Sequence, residues 1–178
     1  FPDTYQLPIP ATASGLVSRQ LTEFKSQFAT VDMTTARRKN LTPYDVLTIA
    51  AMIERETSVA AERPLVSAVI WNRLHARIPL GIDATTRFQY SDWTHPITSA
   101  QLASPSPWNT RIRQGLPPGP IGNPGLASIK AAAAPASVSY LYYVAKPWTC
   151  DQHSFASTQA EFDLSLIHIS EPTRPLYI

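Results

Sequence analysis

Residues 41–57 read LTPYDVLTIAAMIERET, and this stretch decides the architecture. Thr42-Pro43-Tyr44-Asp45 is a helix start. A hydroxyl side chain can accept from the open amides of the first turn, and a proline there has no needed N–H to lose. An acid in the same turn complements the positive end of the helix. Val46, Ile49, Ala50 and Ile53 then recur on one face. That spacing predicts an amphipathic helix with one buried stripe, fading near Thr57-Ser58. Glu54 and Glu56 both flank the stripe. They are two residues apart, so they point about 200° away from each other around the axis and cannot work as a facing pair. Glu56 lies about 70° and Glu54 about 90° from the centre of the stripe, so the helical wheel barely separates them. Each can be a surface carboxylate with helix-face ion pairs, or the acid at the edge of a cleft.

Outward from this helix, Pro64 to about Arg77 predicts a second one, with Val66, Val69, Ile70 and Leu74 inward. On the other side, Ser14 to Phe28 carries Leu16, Val17, Leu21, Phe24 and Phe28 at helical spacing. The opening FPDTYQLP reads as extended chain laid on the core, and residues 31–41 read as a polar, basic loop. Helical spacing stops after Arg77, and residues 79–90 read as a loop leading into a strand. Residues 104–125 are dense in Pro, Gly, Asn and Ser, an ordered loop. Within it NTRIRQGLPPGPIGNPG, residues 109–125, is long enough either to wall a binding cleft or to stand as a structural loop. Ser128 to Ala134 is a short alanine-rich helix. VSYLYYVA, residues 138–145, is a β-prone aromatic run with His153-Ser154-Phe155 as its hairpin partner. A last helix begins around Ser157.

Composition excludes several classes of function. A net charge of +2, with no dense Lys/Arg cluster, gives no footprint for nucleic acid. A hydrophobic content of 44% against 16% charged residues suits a folded core rather than a disordered chain. Seventeen prolines against 6 glycines imply stiff connections between helices. Cys150 is the one cysteine, so neither an internal disulfide nor a cysteine-rich metal site is available. No HExxH or HxH spacing occurs, and no metal site is expected. Glycine-rich phosphate loops, GxSxG elbows and a Schiff-base lysine pattern are all missing, so no cofactor is expected. No run of ~18 apolar residues occurs that would mark a membrane span.

The segments FPDTY (1–5), LTPYDVLTIAAMIERET (41–57), ERPLVSAVIWNRL (62–74), IPLGIDATTRF (78–88), SPWNTRIRQGLPPGPIGNPGLASIKAAAAPA (106–136), YLYYVAKP (140–147) and HSF (153–155) form an ordered set. Together they resemble the YceG-like, or MltG, family of endolytic murein transglycosylases. The resemblance implies an α+β fold, helices packed on a small, mostly antiparallel sheet, with a catalytic glutamate on a helix lining a cleft. It implies that Glu56, the second glutamate of the E-[KR]-E-T stretch, is the acid/base residue, and that Glu54 is structural. Asp83, Thr85, Asn109, Thr110, Asn123 and His153 are the substrate-binding candidates. Where many members read LQSDPT and YNTY, this chain has LGIDAT and Trp108-Asn109-Thr110-Arg111, with Asp83, Thr85, Asn109 and Thr110 in register.

The implied reaction is non-hydrolytic cleavage of the MurNAc–GlcNAc β-1,4 bond of nascent peptidoglycan, leaving 1,6-anhydro-MurNAc ends. The other reading of the same residues is a glycan-binding scaffold of the same fold without the reaction. Implied partners are peptidoglycan glycan strands and cell-wall synthases, with no nucleic acid. The parent protein is expected at the bacterial cell membrane, on one N-terminal span, with this region on the outer side. Opening on Phe1, the chain is expected to be truncated at both ends, the family-like domain occupying residues 1–163. LSLIHISEPTRP, residues 164–175, reads as translated sequencing-library adapter, so residues 164–178 are expected to be a non-native tail.

Overall fold

A computed structural model describes residues 1–147, 149 and 151–170; Cys150 and the end of the adapter-like tail lie outside them. The central element is α3, Pro43–Glu56. Its start is a full capping box. Asp45 N–H donates to Thr42 Oγ1 at 3.2 Å, and Thr42 N–H donates to Asp45 Oδ2 at 2.8 Å. Val46, Ile49, Ala50, Met52 and Ile53 are buried. They face two other helices, α4 (Arg63–Ala76) and α7 (Leu126–Ala133). Ala50 and Ala51 on α3 meet an alanine-rich partner, with Ala131, Ala132 and Ala133 buried on α7. Small side chains let the backbones approach closely, and Ile49, Ile53, Val66, Ile70 and Ile129 fill the remaining space. Full burial of each of these branched side chains contributes about 1.5–3 kcal/mol relative to exposure.

The fold is α+β. β1 (Tyr142–Ala145) and β2 (His153–Ala156) pair antiparallel, with Tyr143 opposite Phe155 and Ala145 opposite His153. The aromatic run shortens as a strand for a definite reason. Upstream of β1, the Val138 and Tyr140 carbonyls accept from Asn72 Nδ2 and the Leu141 carbonyl accepts from Arg73 Nε. Side chains of α4 thus replace a partner strand there. Helix α8 (Gln159–Ser170) closes over this hairpin, with Phe162 stacked on Tyr142 at 5.3 Å. Residues 164–170 of the adapter-like stretch continue α8.

Several expectations need correction. α1 (Ala13–Ala29) is where the spacing places it, but none of its residues is buried; Val17 and Leu21 stay more than half exposed. Residues 31–41 contain a short helix, α2 (Thr34–Arg38), started by Asp32 Oδ1 accepting from Thr34 N–H. The segment read as leading into a strand is a helix, α5 (Asp83–Tyr90), ended by Ser91 in the left-handed region. Its β-branched pair, Thr85-Thr86, favours a strand locally, but both side chains are buried in the helix and tertiary packing overrides the preference. A four-residue turn of helix, α6 (Ser99–Leu102), escaped the spacing because it has no full apolar period. Helix α3 packs mainly on α7 and α4, and it meets the sheet at its C-terminal end.

Candidate active site

That end carries the site. Thr57 leaves the helix in extended conformation, and its buried hydroxyl takes over the turn. It accepts from Val59 N–H at 3.1 Å and donates to Glu62 Oε2 at 3.2 Å. Glu56 is therefore the last helical residue. Its carboxyl sits at the negative end of the helix, which disfavours the ionised form.

The tertiary structure separates the two glutamates. Glu54 Oε2 accepts from Ser128 Oγ at 2.5 Å and from Gly125 N–H at 3.2 Å. It is the N-terminal cap of α7, which its own sequence start at Gly125 cannot supply. Glu54→Ala is expected to cost about 1–3 kcal/mol by leaving these donors unpaired, read as a lower denaturation midpoint, with specific activity per folded molecule largely kept. Glu56 turns the other way. Its Oε2 accepts from Tyr143 Oη at 2.7 Å. Burial of the carboxyl pushes its pKa above the ordinary 4.5, and the charge of Asp83 pushes the same way. The Tyr143 hydroxyl, His153 and the Ala84 amide pull it partly back.

Two adjoining cavities meet at Glu56. One, of about 160 Å³, is walled by Arg73, Leu80, Gly81, Asp83, Arg111 and Tyr143. The other, of about 350 Å³, is walled by Thr57, Ser58, Ala145, Asp151 and His153 among others. A larger cavity of about 720 Å³ lies elsewhere, between the N-terminal segment, α1 and the Pro120–Pro124 loop. It does not include Glu56. Size alone therefore does not single out the Glu56 cavities. The smaller pair holds the desolvated carboxyl and the convergent polar groups that mark a site.

The sequence-predicted residues divide between these surroundings. Asp83 opens α5 inside the Glu56 cleft, and its Oδ1 accepts from Arg111 Nε at 2.8 Å and from Nη2. His153 borders the second cavity. Its ring Nδ1 and its backbone N–H both bind Glu62, at 2.7 and 2.8 Å. Burial pushes the Glu62 pKa up, but the His153 amide and ring outweigh it, and the net shift is downward. Asn123 is exposed on the larger cavity, away from Glu56. Thr85, Asn109 and Thr110 are 0%, 0% and 2% exposed, and their polar atoms are spent inside the protein. Asn109 Nδ2 donates to the Leu102 and Ser104 carbonyls. Thr110 Oγ1 accepts from Ile82 N–H at 3.0 Å and lies 3.1 Å from Thr85 Oγ1. As placed, these three hold the cleft wall rather than face its interior. Thr110→Val is expected to cost about 1–3 kcal/mol by orphaning the buried Ile82 amide, and to loosen Asp83 next to it; chemical denaturation checks this.

Arg111, one of the loop donors the sequence offers for sugar hydroxyls and carboxylates, does line the Glu56 cleft, whereas Tyr143, Glu62 and Arg73 are site residues that sequence reasoning does not reach. Each lies inside a quoted motif, but no spacing rule singles it out. Arg73 spans from α4 to the cleft wall, donating to the Leu141, Pro79 and Leu80 carbonyls. Gly81, at φ 66°, is the left-handed residue that lets this wall turn into α5. Among the described residues, no group of three or more His, Cys, Asp or Glu is placed to hold a metal, and no helix is long and apolar enough to cross a membrane.

Fold and site together define an α+β domain with a single desolvated helix-end carboxyl at the junction of two cavities. The chain belongs to the YceG-like family, whose sequence profile matches residues 1–166. It is 30% identical over 146 residues to the endolytic murein transglycosylase of Bacillus subtilis (strain 168), covering 82% of this chain and 41% of that one. It is 29% identical over 150 residues to the endolytic murein transglycosylase of Streptococcus pneumoniae (strain R6), covering 82% and 27%. The chain thus spans well under half the length of these curated relatives. The crystal structure of a YceG-like protein from Listeria monocytogenes superimposes with a TM-score of 0.76 at 26% identity, covering 92% of this chain and 53% of that one.

Proposed function

We propose that this chain is the catalytic region of an endolytic murein transglycosylase, with Glu56 as its acid/base residue. The observation that carries the reading is the desolvated Glu56 carboxyl, its pKa raised, where two cavities meet. A glycan strand laid through both cavities puts a glycosidic oxygen beside Glu56. Glu56 gives its proton to that oxygen as the MurNAc C1–O bond breaks. The 6-hydroxyl oxygen of the same MurNAc bonds to C1 and returns its proton to Glu56. The 1,6-anhydro ring closes, no water is consumed, and the carboxyl ends as it began.

A hydrolytic glycosidase needs a second carboxylate to activate water or attack C1. Asp83 faces the same cavity but is clamped by Arg111, which leaves it an electrostatic neighbour rather than a base. The names of the relatives support the same reading, and so does the engagement of Glu54 Oε2 at the start of α7. Asp83 and His153 are the two sequence-predicted residues best placed to touch the glycan; Thr85, Asn109 and Thr110 act through the wall they hold. The parent protein would act at the outer face of the bacterial membrane beside cell-wall synthases, as the family resemblance implies.

Mass spectrometry of fragments released from purified peptidoglycan tests the proposal. New ends lighter by a water, as anhydro-muramyl products are, support it. Reducing ends would mean hydrolysis, and strand binding without fragments would mean the scaffold reading.

A further inference from the structure

We infer that Tyr143 is the positioning residue of this site: it pins one oxygen of Glu56 and confines proton exchange with substrate to the other. The inference rests on the acid/base reading of Glu56 and adds to it how that carboxyl is held. Tyr143 Oη donates to Glu56 Oε2 at 2.7 Å, so that oxygen is occupied; among the described residues no side chain donates to Oε1, the oxygen we assign to the glycan, and the Ala84 amide is a further backbone donor to the carboxyl. The phenol ring is itself immobilised. It stands edge-on to His153 at 5.5 Å and tilts against Phe155, its cross-strand partner, at 6.1 Å.

These contacts close on themselves. His153 is fixed by Glu62 through ring and backbone, and Glu62 is fixed by the hydroxyl of Thr57, the residue after Glu56. The helix end, the turn after it and both strands therefore form one circuit around the carboxyl, Glu56 to Tyr143 to His153 to Glu62 to Thr57. Pre-set geometry of this kind avoids reorganisation during proton transfer.

The chemistry suits both half-steps. When Glu56 gives its proton away, the Tyr143 O–H already points at the new carboxylate and stabilises it. The phenol keeps its own proton, because burial and the neighbouring Glu56 charge hold its pKa well above the usual 10. Other charges face Glu56 as well: Asp83 from α5 with its Arg111, Arg73 from α4, His153 from β2, and Glu54, Arg55 and Asp151 at the second cavity. Of these groups, Tyr143 is the one whose hydrogen bond to the Glu56 carboxyl is formed by the side chain directly.

The test is Tyr143→Phe, which keeps the ring and removes the donor. The kcat for anhydro-product release from purified peptidoglycan is expected to fall about 10–100-fold, the worth of one hydrogen bond to a charged group, with KM near the parent value. Losing a bond that favours the carboxylate raises the Glu56 pKa. The alkaline limb of the pH–rate profile should therefore move to higher pH. Carboxyl-carbon NMR titration of Glu56, which needs no substrate, should show the same upward move. A purely structural role would lower the amount of folded protein and leave both titrations in place. Unshifted titrations with a parent-like rate overturn the inference. Glu56→Gln, run beside it, separates the two claims: an active Glu56→Gln enzyme overturns the acid/base reading itself, whereas an inactive one with an indifferent Tyr143→Phe overturns the role of Tyr143 alone.

Discussion

Glu56→Gln is expected to stop release of anhydro-muramyl ends while leaving the protein more stable at neutral pH. The loss of rate follows from removing the proton donor and acceptor together, worth about 10²–10⁴-fold or the whole of the measurable activity. The gain in stability follows from the environment that makes Glu56 useful. Its folded pKa is raised above the ordinary 4.5, first by burial and then by Asp83. A raised carboxyl pKa means the folded state binds the proton more tightly than the unfolded chain. The associated stability is fully present below the unfolded pKa and is lost as pH rises through the folded one. Above the unfolded pKa, folding must either keep a proton on the parent's carboxyl or bury its charge, and a glutamine faces neither cost. The amide oxygen still accepts from Tyr143, so the exchange keeps the hydrogen bond. Thermal unfolding of the two proteins should nearly coincide below pH 4.5 and diverge toward neutrality in favour of the variant. Each kcal/mol of relief should appear as roughly 2–4 °C in a chain of this size. A variant less stable than the parent at neutral pH would show that Glu56 is a structural carboxylate, and a variant with parental activity would place the chemistry elsewhere.

The largest expected loss of stability comes from Ile53→Ala. Ile53 is fully buried one turn before Glu56, in the cluster shared by α3, α4 and α7. Alanine removes three heavy atoms where helices are packed through alanines that cannot swell to fill the gap. The cost should be about 2–5 kcal/mol, transfer plus residual cavity, which is a large share of the ~5–15 kcal/mol that holds a typical domain. The melting temperature should fall by roughly 4–20 °C. Ile53→Val, at about 0.5–1.5 kcal/mol, calibrates the site. A cost no larger for alanine than for valine would mean that α3 is not the centre of the core.

The two glutamates show how far the residues themselves carry a functional reading. Glu54 and Glu56 flank the same stripe at nearly equal angles, so periodicity leaves both as candidates. The family motif prefers Glu56, but its physical basis lies in partners 70 to 90 residues away. Glu54 meets Gly125 and Ser128; Glu56 meets Tyr143. Nothing in the local sequence encodes those encounters. The threonines tell the opposite story. Thr85 and Thr110 sit in the matching motifs, and a hydroxyl in such a motif reads as a sugar contact. Folding turns both inward, where each satisfies the buried backbone of Ile82. A hydroxyl serves either purpose, and only burial tells them apart.

What the chain determines alone is whatever repeats or caps within a few residues. The Thr42 capping box, the apolar faces of α3 and α4, the alanine run of α7 and the aromatic hairpin all follow from local spacing, because helices and strands bury side chains at fixed periods. Helices α2, α5 and α6 are too short to show a period, and their existence depends on what packs against them. The site belongs to that second class. A raised carboxyl pKa needs desolvation from one segment, a donor from another and a neighbouring charge from a third. Only the tertiary structure brings α3, α5 and the β1–β2 hairpin together around Glu56, and so only it raises the pKa of that carboxyl.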